Sequence, residues 1–169
     1  MVTNEPLSDA LTGLTDLDDS AQEYTEKIKN ARRSIVDLTV NKKVRFTFLL
    51  IALVQGLHSI EEAAGKLWEV YPPATYLSGL VSRNLKTGFI IINVSLFAVL
   101  MLTWFATFSK TISIKGWLWL WAVLEMINGA GHTIWAIIEG GYVPGLATAP
   151  VLMILALLLA RLLLKETLE

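Results

Sequence analysis

The sequence predicts an all-α membrane protein, a bundle of four transmembrane helices preceded by an amphipathic helix. Hydrophobic residues make up 54% of the 169 residues and charged residues only 17%, against about 25% charged residues in soluble domains. The charges are concentrated in residues 1–43, whereas long apolar runs fill most of the chain after Val44. A helix needs about 20 apolar residues to cross a hydrocarbon layer about 30 Å thick. We therefore expect a polar extension over residues 1–43 and one membrane domain over residues 44–165.

The polar extension is predicted to contain one amphipathic helix, over about residues 20–38. Ser20 and Glu23 have the spacing of a capping box, in which each side chain bonds a free amide of the first turn. Apolar residues then recur every three or four positions and share one face; they are Ala21, Tyr24, Ile28, Ala31, Ile35 and Leu38. Such a face fits a helix that lies on the membrane or on the bundle. The alternative is a short coiled-coil contact, which would make the protein a homo-oligomer.

Four apolar runs form the predicted spans, over about residues 44–65, 87–108, 116–138 and 145–164. The extension has no apolar segment typical of a cleavable signal peptide, so the first span is expected to direct insertion. Pro72 and Pro73 interrupt the first connection, where residues 74–82 are predicted to form a short interfacial helix.

The distribution of basic residues predicts the orientation of the spans. Seven lie on the side of the termini, namely Lys42, Lys43, Arg45, Lys110, Lys115, Arg161 and Lys165. Three lie on the other side, namely Lys66, Arg83 and Lys86. Because cytoplasmic loops carry the excess of lysine and arginine, we expect a protein of the cell membrane with both termini in the cytoplasm.

Composition excludes several kinds of function. The chain has no cysteine, which excludes disulfides, thiolate catalysis and cysteine-ligated metals. Its net charge is −1, and no basic face suggests nucleic acid as a partner. Any chemistry should therefore come from the polar residues inside the spans.

The first span carries a histidine and two glutamates on one face. At 100° per residue, Glu61 and Glu62 project about 60° and 40° to either side of His58. One interpretation is that this segment is only the wet outer end of the helix. However, a span that ended at His58 would be too short to cross the bilayer. Because an ionisable residue is costly in a membrane, the face is a candidate functional site.

The third span carries a second polar stripe, formed by Glu125, Asn128, His132 and Glu139. His58 is 13 residues past Arg45 and His132 is 17 past Lys115, which places both roughly 20–25 Å from the cytoplasmic boundary. Matching depth predicts that the two imidazoles lie close together in the outer half of the bundle.

The segment Gly140–Gly145, Gly-Gly-Tyr-Val-Pro-Gly, follows the third span. Its composition predicts a tight turn between helices. The functional interpretation is a rigid lid with the Tyr142 hydroxyl directed at the mouth of the site.

Together these elements resemble the HXXEE-domain family of prokaryotic membrane proteins. His58, Glu61 and Glu62 match the motif that names the family; Asn128 and His132 match a second motif. A Tyr-x-Pro-Gly motif is matched by Tyr142, Pro144 and Gly145. The likeness covers roughly residues 44–165. It implies no established activity.

A looser likeness is to the intramembrane CAAX-type proteases, in which paired glutamates and histidines activate water. Here Glu61-Glu62 with Lys66, together with Asn128 and His132, resemble that set. The chain departs from it in having lysine for the usual arginine, two histidines only and half the number of spans.

These observations favour a metal-dependent enzyme, a hydrolase or an oxidoreductase, that acts on a lipid or another lipid-soluble substrate. The candidate ligands of a divalent metal, Zn²⁺ or iron, are His58, Glu62, Glu125 and His132. The candidate catalytic residues are Glu61, Glu62, Asn128 and Tyr142. A metal-free acid–base enzyme, a small proton or metal-ion transporter that uses the same stripe and a non-catalytic membrane subunit are the alternatives.

Overall fold

The protein is all-α throughout the part that the computed structural model describes, which comprises residues 21–31, 40–109 and 114–168. Helix α1 covers residues 21–31. The helices that follow are α2 (Lys42–Ala64), α3 (Leu67–Val70), α4 (Pro72–Val81), α5 (Leu85–Ala106), α6 (Lys115–Glu139) and α7 (Ala149–Leu168). None of the described residues forms a strand. The all-α part of the predicted fold class is therefore confirmed, and a short helix follows Tyr71 in the region predicted for one.

Only part of the predicted N-terminal helix lies within the described residues. The side chains of residues 21–31 are all exposed, so this part of the predicted apolar face does not pack on the bundle. Ser20 of the predicted capping box and residues 32–38 lie outside the described residues.

Helices α2, α5, α6 and α7 pack into a bundle. Helix α7 packs against α6 and α2, α2 also packs against α5, and α4 packs on α5. The indole N–H of Trp121 on α6 donates to the Thr103 hydroxyl on α5 at 3.3 Å, so these two helices meet as well. At this end of the bundle large apolar side chains fill the core, with Phe48, Leu118 and Leu159 fully buried.

Local signals explain where two of the helices begin. The Asn41 side chain accepts hydrogen bonds from the amides of Lys43 and Val44 at 2.7 and 3.2 Å, which caps α2. Proline occupies the start of α4, where its missing N–H costs no hydrogen bond.

The last predicted span begins later than the sequence indicated. Helix α7 begins at Ala149, whereas residues 144–148, at the start of the predicted span 145–164, form a turn. Gly145 has φ +93°, a left-handed conformation that glycine tolerates and other residues rarely adopt. An apolar run alone cannot reveal this turn, because Leu146 and Ala147 continue the hydrophobic character of the helix.

Two helices within the described residues, α2 and α5, are long and apolar enough to cross a membrane by length and composition. Helix α7 carries Arg161, Lys165 and Glu166 in its last two turns, and α6 carries Glu125 and His132 near its middle. These polar residues lower the hydropathy of both helices. The four-span bundle is therefore supported for two spans, and the other two spans stay predictions.

Candidate metal centre

Two histidines and one glutamate meet in the interior of the bundle. His58 and Glu62 lie one turn apart on α2, and their Nε2 and Oε1 atoms are 3.3 Å apart. Nε2 of His132, on α6, lies 3.1 Å from the same Glu62 oxygen. The imidazole centroids are 4.8 Å apart, and all three side chains are buried. The predicted proximity of the two imidazoles is confirmed, as is the choice of Glu62 as their common partner.

Small residues let the helices approach closely enough to form this group. A Cβ at Gly129 would lie 2.7 Å from the Ala149 carbonyl oxygen and from Met153 Cβ. The backbone of α6 is therefore in close contact with the first turn of α7, one turn before His132. A Cβ at Gly65 would lie 2.6 Å from the ring of Pro144. The first contact brings the start of α7 against α6. The second brings the turn that precedes α7 against the end of α2.

Gly145 lies directly against both imidazoles. A Cβ at this position would be 2.7 Å from Cε1 of His132 and 2.8 Å from Cε1 of His58. Together with its φ of +93°, this close approach explains why the turn requires glycine. The turn thus covers one side of the histidine pair.

Glu61 anchors this covering turn. Its Oε1 accepts hydrogen bonds from the Tyr142 hydroxyl at 2.6 Å and the Ala147 amide at 2.9 Å. Its Oε2 accepts from the Thr148 amide at 3.0 Å and the Thr148 hydroxyl at 2.6 Å. Four hydrogen bonds engage both oxygens, so the arrangement gives Glu61 a positioning role and leaves it no free oxygen for catalysis.

The Tyr142 hydroxyl is directed at Glu61 and not at the mouth of the site, which corrects the expectation from the sequence. The phenol side chain is largely exposed, with 66% relative accessibility. Because the Glu61 carboxylate accepts the phenolic proton, it raises the pKa of Tyr142 to about 12. The phenol therefore keeps its proton at neutral pH.

The hydrogen bonds of Thr148 fix the tautomer of His58. The Thr148 hydroxyl has one proton, which it donates to Glu61 at 2.6 Å. Nδ1 of His58, 2.7 Å from the same hydroxyl oxygen, must then be the donor in that contact. In the neutral imidazole, Nε2 of His58 is then the nitrogen with the lone pair, and it faces the Glu62 carboxylate.

Two acceptors that face each other in a buried site need a cation between them. Nε2 of His58, which faces Glu62, has no hydrogen-bond partner among the described residues. A buried polar atom without a partner costs free energy. A proton shared with Glu62 or a bound metal ion would each relieve this arrangement.

The geometry of the group suits a metal ion. The ligand atoms of His58, Glu62 and His132 all lie within 4.8 Å of one another. Bonds of about 2.0–2.1 Å in a tetrahedral zinc site place neighbouring ligands roughly 3.3–3.4 Å apart, close to the observed 3.1 and 3.3 Å. Two histidines and one carboxylate hold zinc in hydrolases and ferrous iron in oxygenases. His58 is hydrogen-bonded to Thr148, and Thr148 is hydrogen-bonded to Glu61. Metal-binding histidines usually have such a supporting hydrogen bond on their other ring nitrogen.

Two further residues of the predicted stripe, Glu125 and Glu139, lie outside this group. Glu125 is buried, but among the described residues the three-residue group does not include it. Seven residues separate it from His132, about 10 Å along a helix. Glu139 accepts a bond from Trp135 at 3.1 Å at the exposed end of α6, away from the centre.

A cavity of about 360 Å³ opens beside the centre, between α6 and the segment from the end of α2 to α4. Glu62, Asn128 and His132 line one part of its wall. The structure thus places three candidate residues at one cavity, while Glu61 and Tyr142 lie behind the covering turn.

Sequence reasoning missed Thr148 and the contact of Gly145 with the imidazoles. A signal for Thr148 was present: Thr148 precedes Ala149 and Pro150, and a threonine followed by an early proline is typical of a helix start. The Gly145 contact had no such signal, because it depends on the tertiary packing of three segments.

The sequence pattern of one protein family, described as a protein of unknown function with HXXEE motif, matches residues 48–160. The chain matches none of the curated proteins and none of the solved structures with which it was compared. The matched residues include both histidines, both motif glutamates and the Tyr142–Gly145 turn, and they span most of the chain. The protein therefore belongs to the family of proteins with the HXXEE motif.

Proposed function

We propose that this protein is an integral membrane enzyme that binds one divalent metal ion, zinc or ferrous iron, through His58, Glu62 and His132 and acts on a lipid-soluble substrate. The observation that carries the proposal is the convergence of the ligand atoms of these three buried side chains, which all lie within 4.8 Å of one another. Thr148 engages the other ring nitrogen of His58, so that Nε2 faces Glu62. A metal ion held there would act as a Lewis acid on an oxygen-bearing group of the substrate.

The apolar surface supports a membrane location for the whole bundle. Large aliphatic side chains project outward from α5, α6 and α7; for example, Leu102 is 67% exposed, Ile137 75% and Ile154 63%. Soluble monomers rarely expose apolar patches of this extent. These faces support a four-span bundle, with both termini in the cytoplasm as the basic residues indicate.

The orientation can be tested with single cysteines, because the natural chain has none. Tyr76 on α4 is 68% exposed, so a membrane-impermeant maleimide should label Tyr76→Cys from outside intact cells. Glu5→Cys should be labelled only after the cells are permeabilised. Labelling of both positions from the same side would contradict the topology.

The closed apolar core favours an enzyme over a transporter. At the end of the bundle away from the covering turn, Val44, Phe48, Leu118 and Leu159 are completely buried. A transporter needs a route of polar groups or water through the membrane, and this packed layer lies across such a route.

The link from Thr148 to His58 should affect metal affinity. Thr148→Val keeps the shape of the side chain but removes the hydroxyl that fixes the His58 tautomer. We expect zinc affinity, measured by competition with a chelator, to fall about 10–100-fold, the usual cost of losing such a supporting bond. Thr133→Val is the matched control, because the Thr133 hydroxyl bonds only the Gly129 carbonyl of its own helix. Equal affinities in the two variants would contradict the role of Thr148.

To test for catalysis, the substrate must first be sought in a mixture of lipids. Purified protein, loaded separately with Zn²⁺ and Fe²⁺, is incubated with the total lipid extract of the expression host, and the lipids are compared by mass spectrometry. We expect at least one neutral lipid species to be consumed by one metal form and not by Glu62→Gln. If metal-loaded wild type and Glu62→Gln leave the same lipids unchanged, the enzymatic proposal fails and a non-catalytic role is favoured.

A further inference from the structure

The cavity beside the metal centre has one polar region and otherwise apolar walls. The polar part is formed by Glu62, Asn128 and His132. The remaining walls come from α3, α4, α6 and the residues that join them; they are Leu67, Tyr71, Pro73, Ala74, Leu77, Ile127, Gly131 and Trp135. Its volume of about 360 Å³ lies at the lower end of the range for small-molecule sites. A ligand that fits must therefore be largely apolar, with one small polar group.

Aromatic rings lead from the centre to the cavity wall. The His132 and Trp135 centroids are 6.2 Å apart, and Trp135 and Tyr71 are 4.9 Å apart at an angle of 34°. Gly131 lies beside them, and a Cβ there would meet no atom within 4 Å. The space next to His132 is thus open and bounded by flat apolar surfaces, which suits a hydrocarbon chain or ring.

The charges around the cavity exclude a phosphate-binding wall. Its lining residues include no lysine or arginine, and phosphate groups in proteins are usually held by these side chains. The three basic residues on this side of the predicted spans, Lys66, Arg83 and Lys86, do not line the cavity either. The Lys66 ammonium instead lies 3.7 Å from Glu69.

We propose that this cavity binds the substrate, and that the substrate is a lipid-soluble molecule with an uncharged oxygen-bearing head, such as an ester, amide, aldehyde or alcohol. The placement of the polar head beside His132 rests on the proposed function, because it assumes a metal ion at that position. The head lies against Glu62, Asn128 and His132, and the apolar body lies between α4 and α6. A phosphate-bearing lipid is disfavoured, because the walls outside the proposed metal site offer no lysine or arginine to bind its phosphate.

The test uses two photoreactive probes with the same long alkyl chain, one a primary alcohol and the other its phosphate monoester. Purified full-length protein is irradiated with each probe, and the labelled peptides are identified by mass spectrometry. We expect the alcohol to label residues of α4 and α6 at least tenfold more than the phosphate does. Equal labelling, or stronger labelling by the phosphate, would overturn the assigned substrate class.

Two glycines of α6 provide a matched pair of variants. Gly131→Phe places a ring in the cavity, whereas Gly116→Phe adds the same ring at the other end of the helix, where a Cβ also meets no atom within 4 Å. We expect Gly131→Phe to reduce alcohol labelling at least tenfold and Gly116→Phe to leave it unchanged. Leu77→Trp, on the opposite wall, should reproduce the loss. Labelling that survives in both Gly131→Phe and Leu77→Trp would overturn the binding site.

Metal analysis of the same samples separates this proposal from the proposed function. His58→Ala removes a candidate ligand that does not line the cavity, so it should lose the metal while the alcohol still labels the same residues of α4 and α6 as in wild type. Labelling in a wild-type protein that binds no metal would support the cavity and refute the metal centre. Metal binding without alcohol labelling would refute the cavity alone.

Discussion

Replacing His132 with alanine should reduce the bound metal of the purified protein from one equivalent to none. The change removes one of the three candidate ligand atoms that lie within 4.8 Å of one another. Glu62 then has only one imidazole beside it, that of His58 at 3.3 Å. The loss in affinity should exceed the roughly 10–100-fold expected for a supporting hydrogen bond. Elemental analysis after dialysis against Zn²⁺ or Fe²⁺ measures the effect directly.

Glu139→Gln is the control for this variant. Glu139 lies on the same helix and bonds only Trp135 among the contacts described, so its metal content should equal that of wild type. His132→Ala protein that still holds a full equivalent of metal would show that the two histidines do not form the centre.

Replacing Gly145 with alanine should be the most disruptive small substitution in the covering turn. The added Cβ would lie 2.7–2.9 Å from atoms of both imidazoles, and alanine is strained at φ +93°. Such backbone strain alone costs about 1–3 kcal/mol. We expect a lower melting temperature in detergent and weaker metal binding, because the turn or the histidines must move.

Two neighbouring glycines separate the causes of this effect. Gly140 has φ +66° but open space around its Cβ, and Gly141 has open space without a positive φ. Alanine at 141 should be nearly neutral, alanine at 140 should show the backbone strain alone, and alanine at 145 should show the strain and the clash. Equal stability of the 140 and 145 variants, with unchanged metal affinity, would contradict the contact between Gly145 and the imidazoles.

Helix geometry made part of the site predictable. Because α-helices turn by 100° per residue, the spacing of His58, Glu61 and Glu62 fixes a common face. Counting residues from the charged ends of two helices that run in the same direction then predicted that His132 lies at the depth of His58. Both steps use the rise and rotation per residue of a single helix, which are the same in every α-helix whatever it packs against.

Contacts between distant segments of the chain were not predictable in this way. Glu61 and Glu62 are neighbours of one residue type, yet Glu62 faces both imidazoles while Glu61 bonds a turn more than 80 residues away. The packing of α7 against α2 and α6 brings this turn to Glu61, and no spacing within α2 indicates that contact. Glu125 shares the stripe of His132 but lies about 10 Å away along the helix, which is too far for it to join the three-residue group.

Because one side of the histidine pair is covered, the order in which a metal ion and an apolar ligand can bind is restricted. Gly145 closes that side, His58 is completely buried, and the cavity lined by Glu62 and His132 is the open approach among the described residues. A metal ion and a lipid-soluble molecule would then pass through one shared entrance. The metal must enter first, and an occupied cavity should hold it in place, so metal exchange with the surroundings should slow sharply while the apolar ligand is bound.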